Sequence, residues 1–256
     1  MEKHDDYGVN GFHVLKGCIP KECIAGVNRE LLDFLARVIT RKFDTGVRPG
    51  TIFEALSVIH GRDLEFYKSV IGSLWRFSPL SRLLRSSHIE AAVGDLLGSP
   101  HLFLPGGDVV HIMSPQLIIP GGYHGIGAHQ DWPSVRGSKD GVVAWCPLTQ
   151  VTSDTFPIEV IPGSHRHGIF PGVGSKERPW EISILPFLES DYIPVECNAG
   201  DVVIFSNFLI HRSARDGAPD AFRLALSTRF DNGLDWDYLN EGLPTAYKRV
   251  VDRLEI

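Results

Sequence analysis

The chain has 256 residues, 43% of them hydrophobic and 22% charged, with a formal net charge of −6. That composition excludes the disordered and collagen-like classes and implies a sizeable core, in one large domain or a core with a helical extension. No dense Lys/Arg run is present, so nucleic acid and anionic membranes are not expected as partners.

The opening stretch "MEKHDDYGVNGFHVL" is charged and lacks the apolar run of a signal peptide. No window approaches the about 20 apolar residues of a membrane span. Cys18, Cys23, Cys146 and Cys197 are scattered, and the C-x4-C pair has no second pair to complete a zinc knuckle. All four are expected to be reduced thiols in a cytoplasmic protein.

The first third has the texture of helices. Residues 21–42 place Val27, Leu31, Leu32, Leu35, Val38 and Ile39 at helical spacing. A second helical region spans 63–86 and is interrupted at Pro79. A third starts at Ser87, with Glu90 three residues on as a capping box, and stops at Gly98. Residues 46–62 are expected to be a loop that could cover a site, as are 166–192, where Glu177, Trp180, Glu181, Glu189 and Asp191 lie. These acids are expected to be solvated; facing the site, they would suit a polar or amine-bearing substrate.

From about residue 101 short β-prone runs alternate with turn residues: "DVVHIMS", "QLIIP", "GVVAWCPL", "FPIEVIP", "YIPVEC", "DVVIFS" and "RLALSTRF". Asp140-Gly141 and Ala199-Gly200-Asp201 look like turns that lead into strands. Many short strands with no βαβ alternation and no glycine-rich phosphate loop point to an all-β barrel or jelly roll. The expected fold is mainly β with N-terminal helices, a double-stranded β-helix of cupin type, in a single domain. Residues 1–100 would be helical support, 101–232 the jelly-roll core and 233–256 a C-terminal extension.

Within that frame "AHQDW" holds His129 and, two residues later, Asp131. The His-x-Asp pair alone is unspecific, since His4-x-Asp6 repeats it at the N-terminus. On extended backbone, residues i and i+2 share a face, so both could aim into a barrel mouth. One imidazole and one carboxylate hold a divalent metal poorly, and His211 is the candidate third ligand. Two histidines and a carboxylate on one side of a metal leave positions open, as in non-haem Fe(II) oxygenases. Arg223 suits the far carboxylate of 2-oxoglutarate, because a guanidinium grips a carboxylate by paired hydrogen bonds. Strand alternation puts Arg223, Ala225 and Ser227 on one face, so the Ser227 hydroxyl could assist. Arg212 and Arg215 compete for the anchor role and are expected to be solvated.

Three blocks, in order, resemble the phytanoyl-CoA dioxygenase (PhyH) family of Fe(II)/2-oxoglutarate-dependent oxygenases. They are "HQDW" at 129–132, "VVAWCPLTQVTSDTFPIEVIPGSHRHG" at 142–168, and "GDVVIFSNFLIHRSARDGAPDAFRLALSTRF" at 200–230. "YGVNGFHVLKGCIP" also resembles the family's opening strand and helix entry. The resemblance implies a jelly roll with His129, Asp131 and His211 as iron ligands and Arg223 on the distal carboxylate of 2-oxoglutarate. Gln116, on the strand before the metal motif, matches a position that contacts the co-substrate. Arg223 stands 12 residues after His211, one more than is common in the family, and the "DGAPD" turn would absorb the extra residue.

The implied cofactors are Fe(II), 2-oxoglutarate and O2, and the implied partner is a small-molecule substrate. The activity would be hydroxylation, ring closure or desaturation in biosynthetic tailoring. Related halogenases carry a small residue in place of Asp131, so its carboxylate favours oxidation over halogenation. Nothing resembles a dedicated coenzyme A site. A non-catalytic cupin-like binding protein and a zinc hydrolase using the same three ligands are the alternatives. "PGSHRHG" is taken as a structural turn in which Gly163 gives backbone freedom and Ser164 a local hydrogen bond, and His165 and His167 are not ligands. His124 is placed at the rim, and Trp132 and Trp145 are assigned to packing. His13, His60, His88, His101 and His111 receive no role.

Overall fold

The computed structural model of the protein describes residues 7–120, 125–171, 181–182 and 186–247. His124, Glu177 and Trp180 lie outside them.

Helix α1 (Lys21–Phe43) buries Ile24, Val27, Leu31, Leu35 and Ile39, one stripe at three- and four-residue steps. It ends where Asp44 turns left-handed at φ 46°. Helix α2 (Ile52–Arg62) corrects the expected loop at 46–62. Its signal was the stretch "TIFE": the Thr51 hydroxyl accepts from Glu54 N, and the Glu54 carboxylate accepts from Gly50 N. The region 63–86 divides into α3 (Leu64–Ile71), capped by Asp63, and α4 (Ser78–Leu84), with Pro79 in its first turn. Helix α5 (Ser87–Leu97) stops at left-handed Gly98 as expected. The Ser87 capping box is overturned: Ser86 is the N-cap, with no side-chain bond to the helix.

Among the described residues nine strands follow the jelly-roll pattern: β1 (Phe12–Leu15), β2 (Leu102–Phe103), β3 (Val109–Met113), β4 (Val142–Pro147), β5 (Ile158–Val160), β6 (Ile193–Val195), β7 (Val202–Ser206), β8 (His211–Ser213) and β9 (Arg223–Asn232). The larger sheet runs β1-β7-β4-β9-β2, with β3 also on β9; the smaller runs β6-β5-β8. All pairs are antiparallel. The stretch "QLIIP" is not a strand: Ser114 caps a 3-10 turn over Pro115–Leu117. Proline lacks the N–H that a ladder needs, and its fixed φ suits the first position of the turn.

Two apolar layers lie on the two faces of the larger sheet. Val142, Ala144, Cys146, Val202, Ile204, Leu224 and Leu226 pack with the helices. Their odd-numbered neighbours Val143, Trp145, Val203, Phe205 and Ala225 pack with Ile158, Val160 and Val195 of the smaller sheet. Burial on both faces explains why these strands are continuous apolar runs in the sequence. The odd-numbered face surrounds the site. Among the described residues no helix is long and apolar enough to cross a membrane.

The buried Asp231 carboxylate ties the end of β9 to its surroundings. It accepts from Ser138 N at 3.0 Å and from the Tyr238 hydroxyl at 3.2 Å. Tyr238 lies on α7 (Trp236–Asn240), which follows the short α6 (Trp132–Val135). Burial pushes the Asp231 pKa up to about 6, against the pull of these donors. A folded-state pKa above the unfolded one means that the native state holds its proton longer, so this group costs stability as pH rises from about 4 to about 6. Asp231→Asn removes that slope. The mutant-minus-wild-type difference in Tm should climb over this window, measured by thermal melts at stepped pH. Gly137 lies against the same carboxylate, where a Cβ would collide with it. Gly137→Ala should cost about 1–3 kcal/mol in a denaturant titration.

Candidate metal and co-substrate site

His129 lies opposite His211 in a reciprocal backbone pair. His129 N donates to His211 O at 3.0 Å, and His211 N donates to His129 O at 3.1 Å. Directly opposed residues of such a pair point to the same face, and the two rings stand 4.1 Å apart between centroids. Glu181 flanks His129 from the other side: Gly127 N donates to its carboxylate at 3.0 Å, and Ile182 N to Ala128 O at 2.7 Å.

Asp131 reaches the same point by another route than simple alternation. Its backbone has already left the strand, at φ −77° and ψ −32°, as the N-cap of α6. Pro133 in the first turn of α6 and the bond from Trp132 N to Asn207 O set that turn. Between the two ligands Gln130 points elsewhere. Its amide donates to Gly168 O and Phe208 O, and its carbonyl accepts from Phe170 N. Sequence reasoning assigned Gln130 nothing, and its side chain staples two loop segments, 168–170 and the one at Phe208, to the ligand arm.

One donor atom each from His129, Asp131 and His211 lies within 4.8 Å of the others, and all three residues are buried. The donor set fits a divalent metal. Nδ1 of His129 donates to Gly127 O at 2.8 Å, and Nδ1 of His211 to Leu209 O at 3.0 Å. A carbonyl only accepts, so Nδ1 carries the proton and the neutral ring keeps its lone pair on Nε2. Burial, then the neighbouring His129, pushes the His211 pKa down to about 3, which keeps that ring neutral. Burial alone would raise Asp131, but the Arg229 guanidinium beside it holds it well below the usual carboxylate range. The result is two imidazole nitrogens turned toward one anionic oxygen donor, a set suited to Fe(II).

The three ligands line one small cavity together. Its apolar wall comes from Val143, Trp145, Ile158 and Phe205. Arg223, Ser227 and Arg229 line it from one face of β9, as alternation requires. Arg223 is 1% exposed. Its guanidinium donates to Phe156 O and lies 5.6 Å over the Trp145 ring. The Ser227 hydroxyl bonds His111 Nε2 at 2.9 Å and accepts from Arg229 at 3.3 Å.

Several expectations need correction here. Gln116 is exposed on its 3-10 turn, does not line the cavity, and donates to Pro219 O at 3.4 Å. His111, given no role, lines the cavity through the inward face of β3, and burial with the two arginines keeps it neutral. Arg229 was overlooked, although the period of two that selected Arg223 and Ser227 continues to it. Trp145 lines the cavity as well as packing. Arg212 is not solvated: its side chain is 10% exposed, pairs with Glu159 at 2.6 Å and with Glu189, and lies over Tyr192. The Ser164 bond is not local, for it accepts from Ile210 N, beside His211. Residues 52–62 do not line the cavity.

The comparisons bear on the family and the fold. The family model for phytanoyl-CoA dioxygenase (PhyH) matches residues 7–223. No curated protein matches the chain. Among solved structures, the epimerase SnoN in complex with Fe3+, alpha ketoglutarate and nogalamycin RO is 19% identical, with a TM-score of 0.56 over 90% of this chain and 82% of that one. EctD from S. alaskensis with 2-oxoglutarate and 5-hydroxyectoine is 16% identical, with a TM-score of 0.56 over 91% and 76%. EvdO2 from Micromonospora carbonacea var. aurantiaca is 16% identical, with a TM-score of 0.57 over 91% of each chain. At these identities the structures speak for the shared fold. The match over most of its length establishes that the chain belongs to the phytanoyl-CoA dioxygenase family, enzymes that use Fe(II), 2-oxoglutarate and O2.

Proposed function

We propose that the protein hydroxylates a small molecule in biosynthetic tailoring, with His129, Asp131 and His211 as iron ligands and Arg223 as the anchor of 2-oxoglutarate. The supporting observation is three buried donor atoms within 4.8 Å of one another, in a cavity that a buried guanidinium also lines. When bound, Fe(II) with 2-oxoglutarate and O2 supplies the oxidant; one oxygen atom enters the substrate and the other leaves in succinate, with loss of CO2.

The chain binds, orients and excludes water. His129 and His211 offer Nε2 because their Nδ1 protons are committed to backbone carbonyls. Arg223 meets the distal carboxylate with paired N–H groups, and burial strengthens that contact by removing competing water. Val143, Trp145, Ile158 and Phe205 keep the reacting volume dry. The Asp131 carboxylate fills the place that a halide takes in related halogenases, so oxygen transfer is the favoured outcome. Similar folds from nogalamycin biosynthesis and with bound 5-hydroxyectoine support a small-molecule substrate.

Calorimetry of 2-oxoglutarate binding to Ni(II)-loaded protein tests the anchor. Arg223→Ala should weaken binding about 10- to 100-fold, the worth of a charge-assisted hydrogen bond. Gln116→Ala should leave it unchanged. An unaffected Arg223→Ala would move the anchor elsewhere. For the reaction, a screen of small molecules with Fe(II) in air should give succinate and a product heavier by one oxygen atom. A substrate that is consumed without succinate would contradict the reading.

A further inference from the structure

Asp131 is held by more than its place in the chain. One of its oxygens, Oδ2, accepts two bonds from a single guanidinium: Arg229 Nε at 3.2 Å and Nη2 at 2.9 Å. The other oxygen, Oδ1, lies 3.6 Å from His129 Nε2. Arg229 is itself fixed at its third nitrogen. Nη1 donates to Gly107 O at 3.0 Å and to Ser227 Oγ at 3.3 Å. Both partners of the pair are buried, with side chains 10% and 4% exposed. The Gly107 carbonyl belongs to a loop covered by Tyr247, and a Cβ on Gly107 would collide with the Tyr247 hydroxyl. The strap that carries Tyr247 is tied on both sides: Thr245 Oγ1 donates to Pro105 O, and Ala246 N to Val135 O in α6. The guanidinium therefore has little freedom to follow a carboxylate that turns.

We propose that Arg229 is a positioning residue that keeps Asp131 a one-oxygen ligand. This inference rests on the iron and 2-oxoglutarate reading given above. A free carboxylate can chelate a cation through both oxygens and so occupy a position that the co-substrate needs. Arg229 engages the lone pairs of Oδ2 and leaves Oδ1 toward the histidines. The facial set then keeps its open positions for 2-oxoglutarate and O2. A guanidinium suits the task better than an ammonium, because its planar fork fixes direction as well as charge. The arrangement concerns co-substrate access more than metal capture.

The test uses the full chain loaded with Co(II), whose visible spectrum reports coordination. Wild type, Arg229→Gln and Arg229→Lys are compared, with circular dichroism and Tm as fold controls. Both variants should still bind one Co(II) per chain, with an altered visible spectrum. Binding of 2-oxoglutarate to the Co(II)-loaded variants should weaken by about 10- to 100-fold, the range for partners that orient ligands. Arg229→Lys keeps the charge but loses the two-bond grip, so it should stay weak. Full recovery of 2-oxoglutarate binding in Arg229→Lys would overturn positioning in favour of plain charge. Unchanged binding and spectrum in Arg229→Gln would overturn it outright. Should Arg229→Gln fail to fold, Arg229→Lys decides by the same two readouts. A folded wild type that binds no Co(II) would instead sink the underlying iron and 2-oxoglutarate reading, and the inference with it.

Discussion

The site depends first on one pair of backbone hydrogen bonds. His129 and His211 are 82 residues apart in the chain, and they exchange both N–H···O bonds across an antiparallel bridge. That register decides which way each imidazole points. A slip of one residue would send one ring to the opposite face and dismantle the donor set. Much of the surrounding architecture guards the register. Ser164 takes the N–H of Ile210, Gln130 grips Phe208 O, and residues 181–182 extend the ladder beyond His129. The "PGSH" turn thus acts at the site without touching a ligand atom.

The second constraint is charge. Asp131, Arg223 and Arg229 are all buried in one cavity. A lone buried carboxylate would tend to take up a proton and lose its value as a donor. The Arg229 pair prevents that, and stripping one partner from such a buried pair costs about 3–5 kcal/mol. Arg223 contributes a cation at the same wall, and the chemistry that answers it is a carboxylate. Strand β9 supplies Arg223, Ser227 and Arg229 on one face, while its other face carries Leu224 and Leu226 into the helical layer. A single strand therefore bonds the two halves of the protein and arms the cavity.

The sequence made the architecture legible where periodicity was clean. Helix α1, strands β3, β4, β7 and β9 and the stop at Gly98 followed from spacing and turn residues, whereas β1 came only from the resemblance and β2 was not expected. It misled where local chemistry is ambiguous. The pattern Ser/Thr-x-x-Glu occurs at both Thr51 and Ser87, yet only Thr51 bonds the helix with its side chain. Gln116 looked like part of a strand because its neighbours are β-branched, whereas Pro115 and the Ser114 cap wind the chain into a turn. The three candidate ligands and Arg223 were found by residue type. Arg229 and His111 needed only the same period of two, carried further along β9 and across to β3. Arg212 could not be read this way, because its burial is set by Glu159, Glu189 and Tyr192, far off in the chain.

The most direct measurement is anaerobic. Fe(II) and then 2-oxoglutarate are added to metal-free protein, and the weak visible charge-transfer absorption of the chelated keto acid is followed. One co-substrate per chain should produce the band, and His129→Ala and His211→Ala should lack it while remaining folded. A folded, iron-loaded wild type that shows no band at saturating 2-oxoglutarate would contradict the account.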